Sequence, residues 1–451
     1  MEIIMAGTKK KVGFLTLGCK VNQYESALIA EKLAECGFEI ADFDARCDYY
    51  VINTCTVTAE ADRKSRQMIR RAIKENPDAK ILIAGCYAQI AAEKLEAIAG
   101  VDFIVGTRNK LRIVDKIREY EQSCLSGATE AEITPLETSK FENAVLNGRF
   151  GGGTDERTRA YIKIEDGCDS KCTYCIIPKA RGPIASKPPE DVIHEVKNLI
   201  SHGYREVVLT GIETAAYGRE RADGYGLAEL LLDVDKLGGL ERVRLGSLDP
   251  SLMRADFVKK IAGLTKLAPH FHLSLQSGCD RTLARMKRRY NTAMIKEYVS
   301  NIRSKIPDVM FTTDIICGFP GETDEDFDET CRFIESLGLL SAHVFAYSKR
   351  DGTPAAVMPN QVDAQTASER VNRLYDVVSR VGESMLEKYD GRVMTVIPEA
   401  YRQGFISGHT ANFIEVLIPA DAETAERVHG QPTPTELAFR EGRMLGKILT
   451  N

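Results

Sequence analysis

From Lys11 to about residue 120, short apolar runs alternate with amphipathic stretches: Lys11 to Gly18 then Gln23 to Cys36, Tyr49 to Asn53 then Thr58 to Asn76, Lys80 to Gly85 then Ala88 to Gly100. Short apolar runs bounded by turn formers read as strands, and the stretches between them carry helical periodicity. Such alternation predicts a parallel sheet covered by helices. The pattern weakens from Glu121 to about Arg157, where Gly151-Gly152-Gly153 reads as a flexible joint, so a linker is expected over 126–156. Six strand-like runs follow with helices between them: Ala160 to Glu165, Glu206 to Thr210, Val243 to Gly246, His272 to Gln276, Phe311 to Ile316 and Ala342 to Tyr347. They predict a partial TIM-like barrel of six strand-helix units, with its site at the carboxyl ends of the strands. After a helical stretch from Gln365 to about Tyr389, Val393 to Glu399 and Phe413 to Ile418 read as strands, separated by Gly404, Gly408 and a His409-Thr410 turn. A small antiparallel β-barrel is expected there. The fold class is therefore α/β, with domains at 9–125, 157–386 and 387–451.

At 451 residues and 43% hydrophobic content the chain is long enough for several cores. No run of eighteen or more apolar residues is present, and Met1 to Gly7 is too short and too weakly apolar for a signal peptide. A soluble cytoplasmic protein, away from membranes, is expected. Its twelve cysteines then point to metal or redox chemistry rather than disulfides. A net charge of −5 argues against a chain that coats nucleic acid indiscriminately, and leaves room for a local basic groove.

Cys168, Cys172 and Cys175 form a Cys-x3-Cys-x2-Cys loop just after the first barrel strand. A structural zinc site closes around its metal with four protein ligands, whereas a 4Fe-4S cluster held by three cysteines keeps one iron open for a substrate or cofactor. The spacing points to the cluster; a zinc knuckle completed from elsewhere, or three unrelated buried thiols, are the alternatives. Cys19, Cys55 and Cys86 each follow one of the first three predicted strands, in Leu17-Gly18-Cys19, Asn53-Thr54-Cys55 and Ala84-Gly85-Cys86. Ligands of open α/β sheets gather at the carboxyl ends of strands, so these cysteines can converge as a second three-cysteine set; the alternative is small buried side chains. Cys36, Cys47, Cys124, Cys279, Cys317 and Cys331 share no spacing and read as structural.

The 168–175 loop, with Tyr174 before its last cysteine, resembles the signature of radical S-adenosylmethionine (SAM) enzymes, whose open iron is chelated by SAM. Further strings extend the likeness: Gly18-Cys19-Lys20-Val21-Asn22, Asn53-Thr54-Cys55-Thr56-Val57-Thr58, Ala84-Gly85-Cys86-Tyr87-Ala88-Gln89, Ile176 to Pro183, Met286 to Tyr290 and Gly318 to Thr323. With them the chain resembles the methylthiotransferase family of radical SAM enzymes over nearly its whole length. The resemblance implies an N-terminal methylthiotransferase domain, a radical SAM barrel and a C-terminal TRAM domain. It implies that Cys168, Cys172 and Cys175 hold the SAM-cleaving 4Fe-4S cluster, and that Cys19, Cys55 and Cys86 hold an auxiliary 4Fe-4S cluster that handles sulfur. One SAM would supply a radical able to take hydrogen from adenine C2 and a second the methyl group.

The strings favour the branch that modifies N6-threonylcarbamoyladenosine at position 37, in the anticodon stem-loop of tRNA. Isopentenyladenosine in tRNA, a ribosomal protein side chain, and a non-catalytic iron-sulfur sensor that binds tRNA are the alternatives. A donor such as flavodoxin or ferredoxin is the implied electron source. Glu213 resembles a strand-end contact to the SAM amino group, or is a solvated glutamate. Ser247 and Gln276 would bond the methionine or ribose of SAM, or serve as turn residues; Gly318 would bring backbone near its adenine, or simply make a turn. Two basic stretches are candidates for tRNA: Arg63, Lys64, Arg66, Arg70 and Arg71, and Arg281, Arg285, Lys287, Arg288 and Arg289. Only the second lies near the barrel mouth. From Gly391 onward acidic residues slightly outnumber basic ones, so RNA contact there would rest on shape and on aromatics such as Phe405 and Phe413, which are equally explicable as core.

Overall fold

The alternation at the start of the chain becomes a six-stranded sheet, parallel throughout, in a computed structural model that describes residues 9–122, 129–136, 141, 144–148 and 158–449. The Gly151-Gly152-Gly153 joint, Cys124 and the Met1 to Gly7 segment lie outside the described residues. The strands are β1 (Lys11–Thr16), β2 (Glu39–Asp42), β3 (Tyr49–Thr54), β4 (Lys80–Gly85), β5 (Phe103–Val105) and β6 (Glu130–Glu132), in spatial order β2-β1-β3-β4-β5-β6. Helices α1 (Lys20–Glu35), α2 (Ala59–Glu75), α3 (Cys86–Ile90), α4 (Ala92–Glu96) and α5 (Arg112–Gln122) cover it. β3 is buried along its whole length, in keeping with its apolar run from Tyr49 to Ile52, and its polar end residues Asn53 and Thr54 are hydrogen-bonded inside. β6 lies inside the stretch expected to be linker. Its Glu-Ala-Glu sequence has no apolar signal, and its carboxylates are held by Lys116 and by Arg112, the latter at 2.8 Å.

The second sheet system comprises β7 (Arg159–Lys163), the short pair β8 (Glu165–Asp166) and β9 (Ala185–Ser186), β10 (Glu206–Thr210), β11 (Arg242–Leu245), β12 (His270–Gln276), β13 (Met310–Cys317) and β14 (Ser341–Ala346), with α6 (Ile177–Arg181) between β8 and β9. Parallel ladders β11-β10-β7 and β12-β13-β14 are joined by bridges Val243 to Leu267 and Leu248 to Leu273. Among the described residues no ladder joins β14 to β7, so the barrel is open there, and α1 packs against β7. Alternate strand positions such as Val207, Leu245, Phe271 and Phe311 pack outward in the main apolar core, leaving Arg244, His272, Asp314 and His343 on the inner face.

A long helix, Ala364–Glu387, leads to a closed barrel of β15 (Val393–Arg402), β16 (Phe405–Thr410), β17 (Glu415–Pro419), β18 (Thr433–Arg440) and β19 (Arg443–Ile448). The turn expected at Gly408 and His409-Thr410 is instead part of β16. Gly408 marks a close strand crossing: a Cβ there would lie 2.5 Å from the Ile397 carbonyl oxygen. The ladders are antiparallel except where Leu417 and Leu445 close the barrel in parallel. No helix among the described residues is long and apolar enough to cross a membrane.

Candidate metal centres

β1, β3 and β4 are neighbours in the sheet, so their carboxyl ends bring Cys19, Cys55 and Cys86 to one place. Cys19 is the N-cap of α1, Cys55 leaves β3, and Cys86 opens α3. Gly18 is required by the approach of its neighbour, since a Cβ there would sit 2.8 Å from the Cys55 sulfur. Burial pushes the Cys55 thiol up to about 12, and the nearby Cys86 and Cys19 add to the shift. Burial also raises Cys86, against the opposing pull of Arg181 and Lys110.

Arg181 was visible in the sequence only as part of a string; the structure makes it the hub of the first centre. It is fully buried, and its Nε donates to the Cys86 sulfur at 3.2 Å. Its two Nη groups donate to Glu25 at 2.6 and 3.2 Å and to Asn22 at 2.6 Å. Lys110 and Lys163 also bind Glu25, the second at 2.7 Å, while Asp166 takes Lys163 at 2.6 Å, Arg108 at 3.3 Å and Arg181 at 3.4 Å. Four buried cations thus share two carboxylates beside the cysteines. The excess positive charge suits an anionic, thiolate-bound group, as buried charge needs compensation. A single zinc ion, with Zn–S near about 2.3 Å, would draw its sulfurs to within about 4 Å of each other. Among the described residues neither triad has its three sulfurs within 4.8 Å of one another, so the donor sets fit a larger group.

The second triad lies on the loop between β8 and α6. Its backbone is tied down by Cys168 N–H donating to the Gly182 carbonyl at 3.0 Å, Cys175 N–H to Cys172 at 3.2 Å, and Thr173 N–H to Met286 at 3.2 Å. Burial pushes Cys168 up to about 11 and Cys175 up to about 12, with Cys172 adding to both. Here too an arginine reaches a sulfur: Arg288 donates to Cys172 Sγ at 3.0 Å and to Asp249 at 2.9 Å. Tyr174 packs edge-on against Phe319, which joins the turn after β13 to the cysteine loop.

The expected cofactor-binding residues divide. Glu213 stands at the end of β10; its N–H donates to Glu165 at 2.7 Å, and its carboxylate accepts the Asp249 N–H at 3.4 Å. Burial and then Asp249 push its carboxyl up to about 7. Cys172, Arg288, Asp249 and Glu213 are therefore linked in one hydrogen-bonded row. Ser247 is exposed after β11, and Gln276 ends β12 with φ of 68°. Gly318 is buried and its N–H is taken by Glu322 at 2.8 Å. Arg181 and Arg288 were not distinguishable in advance, since nothing in a run of basic residues shows which one will meet a sulfur.

Residues 11–106 match the uncharacterized protein family UPF0004, and residues 162–334 match the radical SAM superfamily. The chain is 39% identical to threonylcarbamoyladenosine tRNA methylthiotransferase MtaB of Bacillus subtilis (strain 168), over 90% of each chain. It is 33% identical to tRNA-2-methylthio-N(6)-dimethylallyladenosine synthase of Natranaerobius thermophilus, over 94% of each. The chain belongs to the radical SAM methylthiotransferase family. Among solved structures, the radical SAM methyltransferase TsrM of Kitasatospora setae shares the fold, with a TM-score of 0.54, 16% identity, and 78% of this chain matched to 77% of that one.

Membership of the radical SAM superfamily carries SAM and a 4Fe-4S cluster as cofactors of this methylthiotransferase. Part of its basic stretch near the barrel mouth is already engaged. Arg281 and Arg285 hold Asp326 at 2.5 and 2.7 Å, and Arg288 holds Asp249 and Cys172. Lys287 and Arg289 remain exposed. Phe413 stacks between His270 and His409, with ring centroids 4.4 and 4.8 Å away, beneath Arg244. It is half-buried and packs the C-terminal barrel onto the strands; Phe405 is 42% exposed.

Proposed function

We propose that this methylthiotransferase converts N6-threonylcarbamoyladenosine at position 37 of tRNA to its 2-methylthio derivative. The observation that carries this reading is the pair of three-cysteine sets, each with an arginine on one sulfur, placed on two units joined through Glu25, Arg181 and Lys163. The named relative at 39% identity supports the choice of substrate. In this reading Cys168, Cys172 and Cys175 hold the SAM-cleaving cluster, and Cys19, Cys55 and Cys86 hold a second one. When bound, these groups and SAM supply the electron, the radical and the sulfur. Arg288 and Arg181 orient sulfur ligands and offset their charge. Glu213 accepts the SAM amino group, and Ser247, Gln276 and the Gly318 turn line the rest of the cofactor. The domains are assigned to 9–125, 157–386 and 387–451, with the anticodon stem-loop reaching the open barrel side, in the cytoplasm, and a flavodoxin or ferredoxin delivering electrons.

Mass spectrometry of tRNA nucleosides from cells with and without the chain tests the substrate. Loss of 2-methylthio-N6-threonylcarbamoyladenosine alone supports the reading; loss of only the methylthiolated isopentenyl nucleoside overturns it. Alanine at Cys168, Cys172 and Cys175 should abolish SAM cleavage. Alanine at Cys19, Cys55 and Cys86 should spare 5′-deoxyadenosine formation and abolish methylthiolation, in protein first shown to be folded with its barrel cluster intact. Methylthiolated product from the second variant would refute the auxiliary site.

A further inference from the structure

Lys20 follows Cys19 directly and opens α1. The residue keeps exposed surface, but its ammonium pKa is lowered by burial and then by Arg159 of β7 and Arg244 of β11, against the opposing pull of Asp314 of β13 and Cys19. α1 packs against β7, so its first residue stands where the N-terminal sheet meets the open side of the barrel. Among the described residues it has no carboxylate within 4.0 Å and no hydrogen-bond acceptor.

The other cations of this inner face are engaged. Arg159 pairs with Glu399 at 2.9 Å, and Arg242 and Arg244 with Glu206 at 3.0 and 2.9 Å. Lys163 pairs with Glu25 and Asp166, and Arg288 with Asp249. Arg244 nevertheless keeps Nη2 buried without a partner. The group Lys20 could take is therefore supplied from outside the described residues, and a second unsatisfied donor sits on the same face.

From Asp314 the inner face continues into aromatic surface. In β14, Ala342 and Val344 are buried while His343 and Phe345 are exposed. His343 lies 6.0 Å from His272, whose Nε2 faces Asp314 at 3.1 Å, and 6.3 Å from Phe345, ring centre to ring centre. Ring surface and a lone ammonium, each beside Asp314, suit a flat base that carries an acid. A threonylcarbamoyl group on adenine N6 ends in a carboxylate; a dimethylallyl group is a hydrocarbon.

We propose that Lys20 is the specificity-determining residue that binds the carboxylate of the N6-threonylcarbamoyl substituent, one residue away from an auxiliary-cluster cysteine. The inference rests on the substrate reading given above. A backbone phosphate is the competing anion. It would be shared by every tRNA, whereas the threonyl carboxylate distinguishes one modified adenosine from another.

The test uses the full chain and fluorescence-labelled anticodon stem-loops carrying N6-threonylcarbamoyladenosine, its neutral carboxamide, or N6-dimethylallyladenosine. Dissociation constants come from anisotropy, and KM and kcat from methylthiolation by reconstituted enzyme. Lys20→Met should weaken the threonylcarbamoyl stem-loop roughly tenfold or more, the scale of a lost charge-assisted hydrogen bond. It should leave the carboxamide and dimethylallyl stem-loops unchanged, and Lys20→Arg should restore most of the loss. Circular dichroism and iron content establish that each variant is folded and loaded. Equal weakening of all three stem-loops would assign Lys20 to phosphate, and an unchanged preference of Lys20→Met for carboxylate over carboxamide would remove it from recognition; either result overturns the proposal. A wild-type chain that prefers the dimethylallyl stem-loop would overturn the substrate reading itself, and the proposal with it.

Discussion

Glu25→Gln removes one of two carboxylates from the buried ion group that joins α1 to the barrel. Glu25 accepts Arg181 at 2.6 and 3.2 Å, Lys163 at 2.7 Å, and Lys110. After the substitution Arg181 and Lys163 retain Asp166 at 3.4 and 2.6 Å, whereas Lys110 retains only the Asn53 side chain at 3.0 Å. Removing one partner of a buried pair costs about 3–5 kcal/mol, and three cations share this loss, so the upper part of that range is expected. The pH dependence follows. Burial opposes charging Glu25, but Arg181, Lys110 and Lys163 hold its carboxyl well below the usual carboxylate range. Its stabilisation is therefore complete above the unfolded value of about 4.3 and is lost as pH falls through the lower folded value. Wild type should exceed the variant at neutral pH and approach it in acid. A chain of several units need not unfold in two states, so the assay is amide hydrogen exchange across α1 and β7, read alongside calorimetry. Unchanged protection of both elements at pH 7 would refute the view that this ion group fastens the two units.

Because the Glu213 carboxyl is pushed up to about 7, its charged fraction grows across neutral pH, and SAM affinity should rise between pH 6 and 8. Glu213→Gln should bind SAM more weakly, by roughly tenfold at pH 8, and should flatten the profile; calorimetric titration showing the same slope in both proteins would exclude the contact. Arg288→Met removes the donor to Cys172 Sγ, and a thiolate that loses a hydrogen bond stabilises the reduced cluster less, so the reduction potential should fall. Redox titration followed by electron paramagnetic resonance measures this, and an unmoved midpoint would mean the arginine serves only Asp249.

Local chemistry was legible along the chain wherever it was repeated or regularly spaced. Lys80–Gly85 and Glu206–Thr210 are strands with the limits their apolar runs suggested, because a strand buried on both faces must be apolar throughout. The cysteine triads were visible as sets because Cys168, Cys172 and Cys175 are closely spaced along the chain, and because the strand ends that carry Cys19, Cys55 and Cys86 lie side by side in a parallel sheet. The strands Glu39–Asp42, Phe103–Val105 and Thr433–Arg440 were not visible, each for its own reason: the first has no fully buried side chain, the second is buried but only three residues long, and the third buries Thr433 and Thr435 where an apolar alternation would be sought. Nor did sequence separate Arg181 and Arg288 from Arg281 and Arg285, or single out Lys20. Residue type marks each only as a cation, and its role depends on what folding sets beside it: Arg181 meets Glu25, 156 residues away in the chain, Arg288 meets Cys172, 116 away, and Lys20 has no such partner among the described residues. Charge pairing acts through space, so residue type fixed what these side chains can bind, and only tertiary packing decided which of them is paired and which is left without a partner among the described residues.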